Sequence, residues 1–168
     1  MTLPAPSTAT VHRNRSHHHN RNHTEESPTM ADTMTSAGLS HVSDPPGVAP
    51  SSGYTHVVTG TGRLAAIAGQ MPFDATGRFV GAGDPTAQAR QVFRNMEGCL
   101  TAVGATFADV MKLTYYVTDI AHVPLILAVR DEFIDTGRPP ASTVVQVAAL
   151  YRPDLLMEID ALALLSAE

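Results

Sequence analysis

Near the C-terminus two carboxylates interrupt an otherwise apolar run, Leu155-Leu156-Met157-Glu158-Ile159-Asp160-Ala161-Leu162-Ala163-Leu164. Its length and pattern are those of a strand, whose period of two places Glu158 and Asp160 on one face and Met157, Ile159 and Ala161 on the other. A carboxylate is costly to bury unless it is paired, hydrogen-bonded or used. Two explanations stay open on spacing alone. Either this face meets solvent or a partner subunit, or it lines a cleft in which a carboxylate positions or activates water as a general acid or base.

The elements that must carry these acids follow from the rest of the pattern. Pro139-Pro140 precedes a β-branched run, Ala141-Ser142-Thr143-Val144-Val145-Gln146-Val147, and the turn near Arg152-Pro153-Asp154 predicts that it forms a C-terminal hairpin with the acidic strand. Upstream, Tyr54–Thr59 and Leu64–Ala68 are short strand candidates on either side of Gly60-Thr61-Gly62, a hairpin signal. Asp84-Pro85 marks a helix start, with a carboxylate cap and proline at the first helical position. Val92, Met96, Leu100 and Val103 then form one apolar stripe that Gly104 ends. The alternation of Lys112, Thr114, Tyr116 and Thr118 against Leu113, Tyr115 and Val117 predicts a strand with one polar and one apolar face. A second helix is expected from about Ala121 to Ile134, with Val123, Ile126, Leu127, Arg130 and Phe133 on its buried side. This order predicts an α+β domain, one mixed sheet with both helices on a single face. The other sheet face is then exposed unless oligomerisation covers it.

Composition narrows the function classes. A chain of 168 residues with 43% hydrophobic and 16% charged residues suits one soluble globular domain. A net charge of -5, with Lys112 the sole lysine, argues against nucleic acid as main partner. The lone Cys99 excludes an internal disulfide framework and any multi-cysteine metal site, and its place in a helical stripe marks a small hydrophobe rather than a nucleophile. Residues 1–50 hold half of the prolines, are rich in Ser, Thr and Asn, and show no apolar periodicity. They are expected to be a disordered N-terminal extension ahead of a domain over 51–168. Within them His12, His17, His18, His19 and His23, interleaved with Arg13, Arg15 and Arg21, suit a metal or an anionic surface. The plainer explanation is an untidy extension, or translation beginning at Met30 or Met34. No run matches a secretory signal or a membrane span, so the expected location is the cytoplasm.

Taken together, Gly53-Tyr54, Ala68-Gly69-Gln70-Met71-Pro72, Ala87-Gln88-Ala89-Arg90-Gln91, Val117-Thr118-Asp119, Pro139-Pro140-Ala141, Val145-Gln146-Val147-Ala148 and Met157–Ala163 resemble the RidA (YjgF) family of imine and enamine deaminases, from about residue 53 to 165. The resemblance implies a chorismate-mutase-like homotrimer whose sheets pack into a central barrel, with an active site in each cleft between subunits. It further implies hydrolysis of a reactive 2-imino or 2-enamino acid to a keto acid and ammonia, with no cofactor and no metal. A small-molecule substrate is then the partner, rather than nucleic acid or membrane. Carried over residue by residue, Glu158 falls where the family places the acid that orients the attacking water, and Tyr54 on a tyrosine that lines the pocket. Gly69 matches a glycine whose backbone approaches the ligand, although a bulge at a strand end explains it equally well. Asp160 matches a supporting acid. The resemblance departs from the family at Ser142, where deaminating members carry an arginine that grips the substrate carboxylate. Leu127 likewise stands where relatives often have a polar residue.

The chain is therefore read as a member of an arginine-less subgroup, with Ser142 and Thr143 as neutral donors in the substrate site and Arg138 or Arg152 as candidates to replace the missing guanidinium. The leading function is deamination of an imine or enamine. The alternatives are a pathway-specific cyclisation, ring opening or tautomerisation, and a non-catalytic metabolite-binding trimer.

Overall fold

The computed structural model describes residues 38–166. The His and Arg cluster, Met30 and Met34 lie outside the described residues. Of the extension expected over 1–50, the part from Gly38 onward is described and carries a strand. Strands β1 (Ser40–Val42) and β2 (Val57–Thr59) pair antiparallel as a small sheet. Leu39, fully buried, packs with Leu164, Val58 and Met111. That apolar anchor is why folded structure begins earlier than the expected Gly53.

The main sheet has four strands in the order β3 (Arg63–Gln70), β6 (Met157–Leu165), β4 (Val110–Val117) and β5 (Ala141–Gln146). Strand β6 is antiparallel to both β3 and β4, and β5 is parallel to β4. The helices α1 (Pro85–Ala102) and α2 (Val123–Arg130) pack on one face, against the inward side chains of the alternating strands. Leu113, Tyr115 and Val117 of β4 and Met157, Ile159 and Ala161 of β6 form the floor on which Val92, Phe93, Met96 and Ile126 sit. The expected α+β layering is what is found.

Neither expected hairpin forms. Strand β4 lies between β5 and β6, because α2 returns the chain to the sheet as a crossover that sets β5 parallel beside β4. The acidic strand then takes the central position, with ladders on both sides. The glycines at 60 and 62 serve close approach rather than a hairpin turn. A Cβ on Gly62 would lie 2.0 Å from the Leu165 carbonyl oxygen, and one on Gly60 2.7 Å from Leu164 Cδ2. They let the chain pass the end of β6 from one sheet to the other.

Helix α1 begins as expected, with Asp84 Oδ1 accepting from the backbone N–H of Thr86 at 2.9 Å and Ala87 at 3.0 Å. Gly104, at φ 76°, follows its C-cap. Helix α2 is shorter than expected. A 3-10 turn at Ile120–His122, capped by Asp119, precedes it, and it ends at Arg130.

One buried side chain ties the loops to this frame. Gln88, with no exposed surface, lies on the α1 stripe one turn before Val92. Its Nε2 donates to the carbonyls of Gly81 and Asp154, both at 3.0 Å, and its Oε1 accepts from the N–H of Leu156 at 2.9 Å. Replacing it with methionine of similar volume strands buried backbone groups, each costing about 1–3 kcal/mol. We expect Gln88→Met to lower the thermal midpoint by about 10 °C, read by calorimetry against Gln91→Met. An equal drop in the two variants would contradict a special role for Gln88.

Candidate functional site

The acidic strand pairs with β3 through an irregular register. Ile67 opposes Ala161, and the next aligned pair is Gln70 with Ile159, so β3 carries one extra residue at Ala68–Gly69. Such a bulge re-aims side chains and opens the ladder locally. Gly69 sits in it directly under Glu158. A Cβ at Gly69 would lie 1.8 Å from Glu158 Oε1, 2.6 Å from Cδ and 2.8 Å from Cγ. The carboxylate therefore lies across bare glycine backbone. Two of the residues singled out from sequence, Gly69 and Glu158, are thus in contact, and the glycine is required by the carboxylate itself.

Asp160, two residues on and on the same face, accepts from the Tyr116 hydroxyl at 3.0 Å. That bond and the charge of Asp160 hold the Tyr116 phenol above its ordinary pKa. Both acids belong to the sheet face away from the helices. A depression of about 550 Å³ opens on that face, lined by Ala66, Gly69, Lys112, Thr114, Asp160 and Leu162. Leu64 is 60% exposed there, and Leu162 and Val145 are each 39% exposed. The small β1–β2 sheet covers only the Leu164 end.

Tyr54, Ser142 and Thr143 lie elsewhere. The N–H of Thr55 donates to the Pro140 carbonyl at 3.2 Å, and its hydroxyl to the Pro139 carbonyl at 2.6 Å. A bridge between Thr55 and Ala141 continues this contact, setting Tyr54 beside the first residues of β5. Tyr54 is half-buried, its ring edge against His56 at 5.1 Å. Ser142 shares its face of β5 with Val144, which packs on the core, whereas Thr143 projects to the opposite face and accepts from Lys112 Nζ at 2.5 Å. The two hydroxyls expected in one site thus point to opposite sides of the sheet. Nearby, His41 packs its Nδ1 3.2 Å from the Pro139 carbonyl, and burial lowers its pKa.

Four of the five residues fall toward opposite ends of the sheet, and the Thr143 side chain, held by Lys112 on the outer face, joins neither group. Glu158 is aligned through Tyr116 with Val145, three residues beyond Ser142 on β5. Two strand spacings and three residue rises separate the Glu158 and Ser142 backbones by roughly 14 Å. One chain holds Glu158 with Gly69 and, apart from them, Tyr54 beside the segment that leads into Ser142.

Arg152 and Arg138, the candidates expected to supply a guanidinium in place of Ser142, are placed as follows. Arg152 forms a bidentate pair with Asp154 and stacks over Phe73 and Phe79, 5.4 and 5.3 Å from their ring centroids. Arg138 reaches the Leu39 carbonyl at 3.3 Å. Leu127 is half-buried against the core. Sequence reasoning passed over Gln88 and Arg130 as functional residues, although each interrupts an apolar helix stripe with a polar group. Among the described residues no group of His, Cys, Asp and Glu is arranged to hold a metal ion, and no helix is long and apolar enough to cross a membrane.

Comparison with known proteins places this geometry in context. The family model described as Endoribonuclease L-PSP matches residues 46–165. A RutC family protein of Pyrococcus horikoshii is 38% identical over 103 residues, 61% of this chain and 79% of that protein. The solved structure of YyfB from Yersinia pestis, described as a conserved Rid family protein of unknown function, is 36% identical with a TM-score of 0.64, covering 74% of this chain and 97% of that one. RidA from the Antarctic bacterium Psychrobacter sp. is 30% identical with a TM-score of 0.57, covering 70% and 92%.

Two glycines make contrasting predictions. In Gly69→Ala the flexible Glu158 side chain can swing away, so we expect a small change in thermal midpoint and a displaced carboxylate in a crystal structure. In Gly62→Ala the obstacle is a backbone carbonyl, and a loss of about 1–3 kcal/mol is expected by denaturant titration. The reverse ranking would mean that the contact between Gly69 and Glu158 is wrongly described.

Proposed function

Because this chain belongs to the RidA (YjgF) family, we propose that it hydrolyses a reactive imine or enamine to a carbonyl compound and ammonia, in a cleft built between copies of the chain. The observation that carries this reading is the Glu158 carboxylate laid across Gly69, a base held over bare backbone where a flat substrate can approach.

Glu158 accepts a proton from water as the water oxygen bonds to the imine carbon, and the electron pair of the C=N bond moves to nitrogen. The proton held on Glu158 passes to the nitrogen of the resulting carbinolamine. Glu158 then takes the hydroxyl proton of the carbinolamine and passes it to the nitrogen as the C–N bond breaks, so that ammonia leaves and a C=O bond remains. Nothing beyond one water is consumed, so positioning and proton transfer are the whole demand on the protein. Tyr54 and Ser142 stand too far from Glu158 within one chain to join it, which favours a second copy supplying them. The uncovered sheet face, with its exposed Leu64, Leu162 and Val145, suits the packing of a trimer.

Ser142 supplies a hydroxyl where a guanidinium would grip a carboxylate, which favours a substrate not held by its carboxylate at this strand. RNA cleavage, the activity in the name of the matching family model, is disfavoured by the net charge of -5 and the single lysine.

Ammonia release from imines generated in situ by an amino acid oxidase tests the proposal. The unmodified protein is expected to accelerate release, and Glu158→Ala to lower its rate by about 10²- to 10⁴-fold. If only Ser142→Arg is active, the scaffold is competent but its natural substrate is no simple 2-imino acid. Silence from all three proteins would sink the reading. Light scattering is expected to give three times the chain mass, and a clean monomer would remove the shared cleft.

A further inference from the structure

We propose that Arg130 is a positioning residue that presents Tyr54 to the substrate, an inference that rests on the deaminase reading and extends it to a residue in α2. Arg130 is only 4% exposed, on the last turn of α2. Its Nε and Nη2 donate to Asp131 Oδ1 at 2.9 and 2.7 Å, and its Nη1 donates to the Gly53 carbonyl at 2.8 Å. A buried guanidinium is a poor means of gaining stability, since its desolvation offsets much of the ion-pair energy. Its geometry points to another use.

Gly53 is the residue before Tyr54 and adopts φ 73°, a conformation that leaves the chain there easily re-aimed without an outside tether. The residue after Tyr54, Thr55, is held by the carbonyls of Pro139 and Pro140. Tyr54 is therefore bracketed, on one side by Arg130 and on the other by the segment leading into Ser142. With Arg130 removed, only the Thr55 side remains fixed and the ring is free to pivot about Gly53. Asp131, whose side chain is 43% exposed, balances the guanidinium charge while leaving Nη1 to the carbonyl. Nearby, the Tyr115 hydroxyl is buried with no hydrogen-bond partner among the described residues; burial raises its pKa, and the charge of Arg130 opposes that rise.

The chain has no tryptophan, so Tyr54→Trp installs a single reporter at the position in question. In that background we expect Arg130→Met to lower the steady-state anisotropy of the reporter and raise its quenching by iodide, with far-UV circular dichroism unchanged. Arg130→Lys, which keeps a cation but cannot hold the carboxylate and the carbonyl together, is expected to restore part of the signal. Arg90→Met, which breaks an exposed pair with Glu132, is expected to leave the reporter alone. On the Tyr54 protein, Arg130→Met is expected to raise KM for the imine more than it lowers kcat.

A folded Arg130→Met protein whose reporter is unchanged overturns the proposal. If Arg130→Met does not fold, a folded Arg130→Lys protein with an unchanged reporter overturns it instead. A reporter that moves, while the unmodified Tyr54 protein shows no imine hydrolysis, supports the tether to Tyr54 and overturns the deaminase reading alone.

Discussion

The amide of Gln88 is the interaction on which the placement of the acidic strand depends. Helix α1 is fixed to the sheet by an apolar stripe that is tolerant of sliding, because hydrophobic contact has no direction. Hydrogen bonds do have direction, and Gln88 uses both ends of its amide to bind the loop at Gly81 and the chain at Asp154 and Leu156. Leu156 is two residues before Glu158. The register of β6 against β4 and β3 continues that point of attachment, and the bulge at Gly69 sets the carboxylate across it. A loosely directed core and one sharply directed amide together specify where the acid stands.

How much of this was legible in the chain depended on whether the cause was local. The period of two in β4 and β6, the Asp84-Pro85 start of α1 and the Gly104 stop are set by neighbouring residues, and each is found where the pattern put it. The pairing of strands was not legible, because Pro153-Asp154 and Gly60-Thr61-Gly62 announce a change of direction without saying which strand comes next. Strand β1 was missed for a related reason. Three residues in a Ser- and Pro-rich context carry no periodicity, and the burial of Leu39 against Leu164 is visible only once the far end of the chain is in place. Gly69 was left between a ligand-approach glycine and a bulge, and it sits in a bulge with Glu158 over it. Gln88 and Arg130 were readable as polar breaks in apolar stripes, but their partners are loop carbonyls with no signature in sequence.

The two ends of the sheet divide the work differently. At one end Glu158 rests on a central strand held by ladders on both sides, which gives the carboxylate a rigid base, while Gly69 sits in the bulge of the neighbouring edge strand. At the other end Tyr54 belongs to an irregular segment whose order comes from contacts with distant parts of the chain, the Arg130 side chain on Gly53 and the Pro139 and Pro140 carbonyls on Thr55. An acid that must meet water at a fixed angle gains from the first arrangement. A ring that shapes a pocket tolerates the second, and variation in such a segment can change what the pocket admits without disturbing the sheet.

The contact between Gly69 and Glu158 has an implication for how this surface can be redesigned or drift. No side chain fits at 69 while a carboxylate lies over it, and shortening residue 158 would remove the reason for a glycine at 69. The two positions, far apart along the chain, therefore form one unit of change: a side chain at 69 is compatible with a folded sheet but displaces the carboxylate, so only paired substitution can fill position 69 and still control what stands over it.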